Sequence, residues 1–306
     1  MKKLKIIVIL GQTSAGKSDL AVKIAQKING EIISADSRQV YKGLDIGTGK
    51  ITSKEMKGVS HHLLDVVSPK QKFSVVEYQE KCIYAIADIV KRDKVPIICG
   101  GTGFYIDAIT KGVIFPQVPP NNKLRKALYS KSAIALFVVL KKLDPKRAKD
   151  IKNKNEQNNK VRLIRAIEIA KALSFVPKIT EATPPYKFIK IGLYLSEDLL
   201  KKKIEKRLLS RIKIGMLNEA RKLHRQGLPY ARMEELGLEY KFTALYLQNK
   251  ISKQKMIEKL KTEIHQYAKR QMTWFKRDKE IKWFDASNTK EIAKQMQALE
   301  LQLKNK

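Results

Sequence analysis

Cysteine, long apolar runs and acidic side chains are all scarce in this 306-residue chain. Each scarcity removes a class of protein. The two cysteines, Cys82 and Cys99, have no C-x-x-C spacing and no neighbouring histidine pair. A zinc finger and a disulfide framework are therefore excluded, and a reducing cytoplasm is the expected compartment. No apolar stretch approaches the roughly 20 residues a membrane-spanning helix needs, so no membrane partner is expected. Met1-Lys2-Lys3 leads straight into the first predicted strand, which leaves no room for a signal peptide. With 43% hydrophobic residues a sizeable core can form, in one large domain or two modest ones. A monomer is the default expectation.

Only 30 acidic residues face 63 Lys+Arg, a formal charge of +33. The excess is uneven. Residues 1–110 carry 17 basic and 11 acidic side chains, whereas residues 111–306 carry 46 and 19. Lysine outnumbers arginine, as in a lysine-rich proteome, yet a field of this size attracts polyanions and makes their binding salt-dependent. Nucleic acid is the partner that charge alone suggests.

Residues 11–18 read GQTSAGKS and satisfy G-x-x-x-x-G-K-[ST]. The apolar run Ile6 to Leu10 precedes them and a helical pattern, Asp19 to Ile28, follows. That is the strand–loop–helix setting the motif requires. Gly11 and Gly16 let the backbone turn its N–H groups toward one anion. Lys17 adds a mobile charge, the Ser18 hydroxyl can ligate Mg²⁺, and the helix N-terminus contributes a partial positive charge. A diphosphate or triphosphate is the expected ligand.

Strand patterns at 5–10, 31–34 and 95–99 alternate with helix patterns at 17–28 and 74–92, predicting a parallel sheet covered on both faces. Ligands of such sheets bind beyond the carboxyl ends of the strands. Three polar clusters fall there: the phosphate loop, Asp36-Ser37-Arg38-Gln39, and Gly100-Gly101-Thr102-Gly103. Prolines 116, 119 and 120 mark a boundary, residues 133–140 read as a strand, and 144–173 as helical and basic. Thr183-Pro184-Pro185-Tyr186 is a second break. Residues 188–195 read as a late strand returning to the sheet. The remainder, 197–304, is largely helical, with a weak pattern from Asn288.

Asp36, two residues past a buried strand, can take a proton, hold Mg²⁺ or cap the next turn. Thr102 offers one hydroxyl in a glycine-rich turn. His61-His62 reads as structural, since adjacent side chains diverge. Arg162 and Arg165 share a helical face and can meet a phosphate; Arg207 and Arg211, one turn apart, can clamp an anion. In the run Tyr267 to Arg277, cations including Lys269 and Arg270 mix with aromatics, a surface suited to phosphates and stacked bases.

The run from Asp36 to Thr48, DSRQVYKGLDIGT, resembles the signature of the tRNA dimethylallyltransferase family. HHLLDVV at 61–67, FSVVEY at 73–78, PIICGGTGFY at 96–105 and YAKRQMTWF at 267–275 resemble it too. The similarity spans about residues 5 to 285. It implies a phosphate-loop α/β core, residues 1–111 and 186–306, carrying a mainly helical insertion at 112–185, with tRNA threading a channel between them. The implied reaction moves the dimethylallyl group of dimethylallyl diphosphate to the exocyclic amine of the adenine just 3′ of the anticodon, in tRNAs reading codons that begin with U.

By the same resemblance, Gly11, Thr13, Ser14, Ala15, Gly16, Lys17 and Ser18 cradle the diphosphate, with Mg²⁺ near Ser18. Asp36 matches the general base. Asp36, Ser37, Arg38 and Gln39 match contacts to the extruded adenine, and Thr102 a residue beside the base and leaving group. Arg207 matches an arginine near the diphosphate. Val161, Arg162, Leu163, Ile164 and Arg165 match a segment contacting the tRNA anticodon stem-loop. The chain departs from the family pattern at Gln12, where proline is usual, in the order Ser14-Ala15, at Val161, where glutamine is usual, and at Leu238-Glu239-Tyr240-Lys241.

Three rivals share some of these features. A nucleotide kinase would not need a basic, aromatic C-terminal half. An isopentenyltransferase acting on free AMP or ATP would not need the long basic region 111–306. An RNA-binding module with a vestigial loop would not keep Gly11, Gly16, Lys17, Ser18 and Asp36 together.

Overall fold

The computed structural model describes residues 4–304, so Met1-Lys2-Lys3 lies outside the described residues. The chain divides into two compact units, Met1–Gly112 with Thr183–Lys306, and Val113–Ala182. The first unit opens with β1 (Leu4–Gly11), α1 (Lys17–Ile28), β2 (Gly30–Ala35), α2 (Ser53–Met56), β3 (His61–His62), α3 (Val75–Lys91), β4 (Val95–Gly100) and α4 (Gly103–Thr110). The second contains β5 (Val113–Ile114), α5 (Asn122–Tyr129), α6 (Ala133–Leu143), α7 (Pro145–Asn153), α8 (Lys160–Leu173) and β6 (Thr180–Glu181). The chain then returns to the first unit with β7 (Tyr186–Tyr194), α9 (Glu197–Lys213), α10 (Met216–Arg225), α11 (Tyr230–Leu236), α12 (Leu238–Leu247), α13 (Lys253–Phe275), β8 (Lys282–Asp285) and α14 (Thr289–Lys304).

The first unit is built on a six-stranded sheet of order β3-β2-β4-β1-β7-β8, parallel throughout. Side chains alternate across a strand, and β1 feeds two cores. Ile7 and Ile9 pack with Val22 and Ile24 of α1, Ile204 of α9 and Leu260 of α13. Ile6, Val8 and Leu10 pack on the opposite face with Tyr78, Ile86 and Ile89 of α3 and Ile106 of α4. Burial on both faces explains why β1 reads as an unbroken apolar run. Helix α3 starts cleanly because Ser74 accepts from Glu77 N while the Glu77 carboxylate accepts from Ser74 N, a closed capping box.

Two expectations fail here. Residues 133–140 do not form a strand. They belong to α6, where Ser132 Oγ accepts from Ala135 N and starts the helix. Leu136 and Leu140, four apart, are buried against Leu163 and Ile167 of α8. A short apolar run fits either element, and a helical partner decides it. Conversely, Lys282–Asp285, expected to be helical, forms edge strand β8 in register with Ile191 to Tyr194 of β7. Gly192 is what lets it close: a side chain there would meet Trp283 and Ile281. No helix among the described residues is long and apolar enough to cross a membrane.

Candidate active site

The three polar clusters follow β1, β2 and β4, which are adjacent in the sheet, and therefore meet at its carboxyl edge. Helix α1 begins at Gly16 in a left-handed conformation (φ 84°) with no side chain capping its first turn. The first N–H groups of α1 are thus free of a side-chain cap, which suits an anion. The loop before it is tied down from two sides. Gln12 is buried and uses both its groups: its N–H donates to Leu193 O (3.3 Å), and its Oε1 accepts from Leu195 N (2.9 Å). A proline would offer neither. On the other side, Gln271 of α13 accepts from Thr13 N (2.7 Å) and donates to Gly101 O (2.9 Å), bridging the phosphate loop and the Gly100–Gly103 turn. Lys17 Nζ lies 2.6 Å from Gln12 O, and Ser18 is exposed at the mouth of the loop.

Asp36 leaves β2 and receives the backbone N–H groups of Arg38 (2.8 Å) and Gln39 (3.4 Å) on one oxygen, Oδ1. It is a turn-former, and its second oxygen takes no hydrogen bond among the described residues. Thr102 Oγ1 accepts from Ser37 N (3.0 Å), and Thr102 N donates to Ala35 O (3.1 Å), locking the β2 and β4 turns together. The Tyr267 hydroxyl adds contacts to Thr102 and Gln271.

The segment Asp45–Gly49 is held on both its polar edges. The Glu219 carboxylate of α10 accepts from the N–H groups of Asp45 (3.0 Å), Ile46 (2.7 Å) and Gly47 (2.9 Å) and from the Tyr240 hydroxyl (2.7 Å). From α9, Arg211 donates to Gly47 O, Thr48 O and the Glu239 carboxylate, and Arg207 to Gly49 O (3.3 Å), which Gln39 Nε2 also reaches (3.4 Å). Gly49 has φ 60°, and a side chain there would occupy the space of both guanidinium groups.

Electrostatics link the predicted residues. Burial pushes the Lys17 ammonium down to about 8; the Arg207 charge adds to the fall, while Cys99 and the Asp36 carboxylate oppose it. Burial, then Arg211, brings Arg207 down to about 10, against the pull of Glu239 and Asp36. Burial also raises the Tyr267 phenol, with Asp36 adding to the rise. Lys17, Asp36 and Arg207 therefore share one field: two cations and one carboxylate around the loop.

Other predicted residues have different surroundings. In the second unit, Val161 and Arg162 are exposed on α8, and Arg162 pairs with Glu156. Leu163 and Ile164 are buried core side chains, which corrects the reading of both as contact residues. Arg165 is spent largely on structure, donating to Glu168 and to Val118 O (2.9 Å). Exposed Lys269 pairs with Glu197 (3.4 Å), and Arg270 is exposed. Trp274 turns inward, its Nε1 3.2 Å from Asp107, with Arg277 over its ring. Sequence reasoning missed Gln271, Tyr267, Glu219 and Glu239 as site supports. Gln271 and Tyr267 lie within the YAKRQMTWF run, which reads as a mixed cationic and aromatic surface for RNA, and no local pattern marks Glu219.

Fold and site together define an α/β protein of the phosphate-loop class. The chain belongs to the IPP transferase family, whose model matches residues 39–278. It is similar to tRNA dimethylallyltransferase 2 of Treponema denticola, 43% identical over 89% of this chain and 91% of that protein. It is also similar to tRNA dimethylallyltransferase 1 of Parabacteroides distasonis, 39% identical over 99% and 100%. Among solved structures, it resembles the full-length tRNA isopentenylpyrophosphate transferase of Bacillus halodurans, with TM-score 0.74, 34% identity and coverage of 99% and 98%. A eukaryotic dimethylallyltransferase acting on tRNA aligns with TM-score 0.76 and 28% identity, over 94% of this chain and 75% of that one.

Proposed function

We propose that the chain transfers the dimethylallyl group of dimethylallyl diphosphate to the exocyclic amine of adenine 37, 3′ of the anticodon, in tRNAs reading codons that begin with U. It acts as a cytoplasmic monomer and releases diphosphate. The observation that carries this reading is the meeting of the phosphate loop, the Asp36 turn and Thr102 at the carboxyl edge of the sheet, tied together by Thr102 and Gln271. An anion cradle supports diphosphate departure, and a carboxylate beside it supports proton removal from an amine.

On this reading the allylic C–O bond breaks as charge builds on the diphosphate. The N–H groups of Ser14, Gly16, Lys17 and Ser18, with the Lys17 and Arg207 side chains, stabilise that charge. The adenine nitrogen forms the new C–N bond, and its proton passes to Asp36, which offsets the weak nucleophilicity of a delocalised lone pair. Ser37, Arg38 and Gln39 hold the extruded base beside Thr102, since a base in its stack cannot reach such a pocket. Val161, Arg162, Arg165, Lys269 and Arg270 supply RNA contacts. An Mg²⁺ ion would keep waters and bind mainly through phosphate oxygens, and the exposed Ser18 hydroxyl would be its protein ligand. When bound, the ion neutralises charge on the leaving diphosphate.

Incubation with unmodified tRNA and labelled dimethylallyl diphosphate, followed by nucleoside analysis, tests the proposal. Label in adenosine at position 37 is expected. Label transfer to free AMP alone, or phosphoryl transfer from ATP, would replace this reading with one of its rivals.

A further inference from the structure

Behind the Asp45–Gly49 segment lies a groove of about 790 Å³ that the chemistry above does not use. Lys42, Lys70, Lys222 and Arg225 line it, together with Ser68. All four cations are exposed, and none has an ion-pair partner among the described residues. Two carboxylates also line the groove, but both are occupied: Asp45 by Lys50 (2.6 Å), and Glu219 by three backbone N–H groups and Tyr240. With four cations against these two carboxylates, the groove presents net positive charge.

Its walls are fixed rather than loose. Lys42 N donates to Val67 O (2.9 Å), and Arg232 holds the neighbouring loop through Pro69 O (2.9 Å) and Gln71 O (2.6 Å). Lys222 and Arg225 lie in the last turn of α10, where cations are favoured by the helix dipole alone. That explains two of the four. Lys42 and Lys70 come from separate loops, where no helix end calls for them. Exposed Ile214, 65% accessible, adds an apolar rim of the kind a sugar or base can rest on.

Lys42 is six residues from Asp36, at most about 20 Å along a fully extended chain. A strand whose base reaches Asp36 has neighbouring phosphates within that range. We propose that this groove binds the phosphodiester backbone of the RNA substrate, as a second contact outside the catalytic pocket. The proposal rests on the tRNA reading above.

The test compares a Lys42→Gln, Lys70→Gln, Lys222→Gln, Arg225→Gln variant with a charge-matched control altered at Lys23, Lys27, Lys81 and Lys91 on α1 and α3. Affinity for an anticodon stem-loop RNA is measured against salt concentration. Each phosphate contact on a single strand contributes about 0.7 to the log–log slope. The groove variant should lose about 2–3 from that slope and bind about tenfold or more weakly, with an unchanged KM for dimethylallyl diphosphate and an unchanged melting temperature. The control should stay close to the unaltered protein. Equal losses in both variants would reduce the effect to overall charge and overturn the proposal, as would an unchanged slope in the groove variant. Loss of inorganic pyrophosphate binding with RNA binding intact would overturn it in favour of a small-anion site. Failure of the unaltered protein to prenylate tRNA is a separate result that rejects the functional reading, while the slope still judges the groove.

Discussion

Asp36 holds its turn through one oxygen and leaves the other without a hydrogen bond among the described residues, and that division permits a clean substitution. Oδ1 holds the turn by accepting from Arg38 N and Gln39 N, and an asparagine keeps that acceptor. Asp36→Asn is therefore expected to fold normally and keep its tRNA affinity while kcat falls about 10²–10⁴-fold, the usual share of a general base. A rate near that of the unaltered enzyme in single-turnover assays would remove Asp36 from proton transfer. Lys17 yields a pH prediction. Its ammonium titrates near 8, lowered mainly by burial, so the charged, diphosphate-gripping form is lost as pH rises through that value. The kcat/KM for dimethylallyl diphosphate, which reports the free enzyme, should fall above about pH 8. In Lys17→Ala that limb should vanish while KM rises. At this scale the sequence was informative: the phosphate-loop residues and Asp36 stand where their spacing put them, because glycine and a short carboxylate shape the backbone locally. Gln271 was not legible as a site residue. Its role depends on two loops about 170 and 258 residues away in sequence.

The Asp45–Gly49 segment is a small element whose form comes from its neighbours. Glu219 takes its N–H groups, and Arg207 and Arg211 take its carbonyls. Gly49→Ala puts a side chain at positive φ and into the space of both guanidinium groups. It should cost about 1 kcal/mol or more in stability, and, by displacing Arg207, raise the KM for the diphosphate substrate. Thermal melting and steady-state kinetics measure the two effects. An unchanged KM would separate Arg207 from diphosphate binding. Elements differed in legibility for the same reason. Strands β1 and β4 and helices α1 and α3 announce themselves by long runs, caps and periodicity. The run at 133–140 did not, because eight apolar residues suit a buried strand as well as a helix, and only packing on α8 decides.

Across the molecule, charge and core are arranged for different tasks. Glu31, buried at the start of β2, gathers Arg92, Lys94 and His62. The Arg92 hydrogen bond does most to hold its carboxyl well below the usual range, aided by Lys94 and His62 against the cost of burial. A carboxylate whose folded pKa is depressed contributes stability above its unfolded pKa and loses it as pH falls toward the folded one. Glu31→Gln should therefore lower stability at neutral pH by about 1–2 kcal/mol, a buried-pair loss discounted for the partly exposed cations. It should also flatten the acid dependence of stability below about pH 4.5. Chemical denaturation from pH 3 to 7 tests this; parallel curves for the two proteins would contradict it. The second unit, Val113–Ala182, has its own ionic centre, where Glu168 joins Arg125 and Arg165. Arg165, which helical spacing places on one face with Arg162, also neutralises a buried acid.

Short-range patterns settled the phosphate loop, the parallel core and the pull toward a polyanion, because turn chemistry, strand alternation and net charge depend only on nearby residues or on sums over the chain. Which cations remain free to meet a ligand depended on the folded arrangement. Glu31, Glu168 and Glu239 each claim an arginine from a distant or separately packed element, and among the described residues Lys42, Lys70, Lys222 and Arg225 pair with no carboxylate. Charge is a property of composition, but its neutralisation requires contact, and contact is set by how the chain closes on itself.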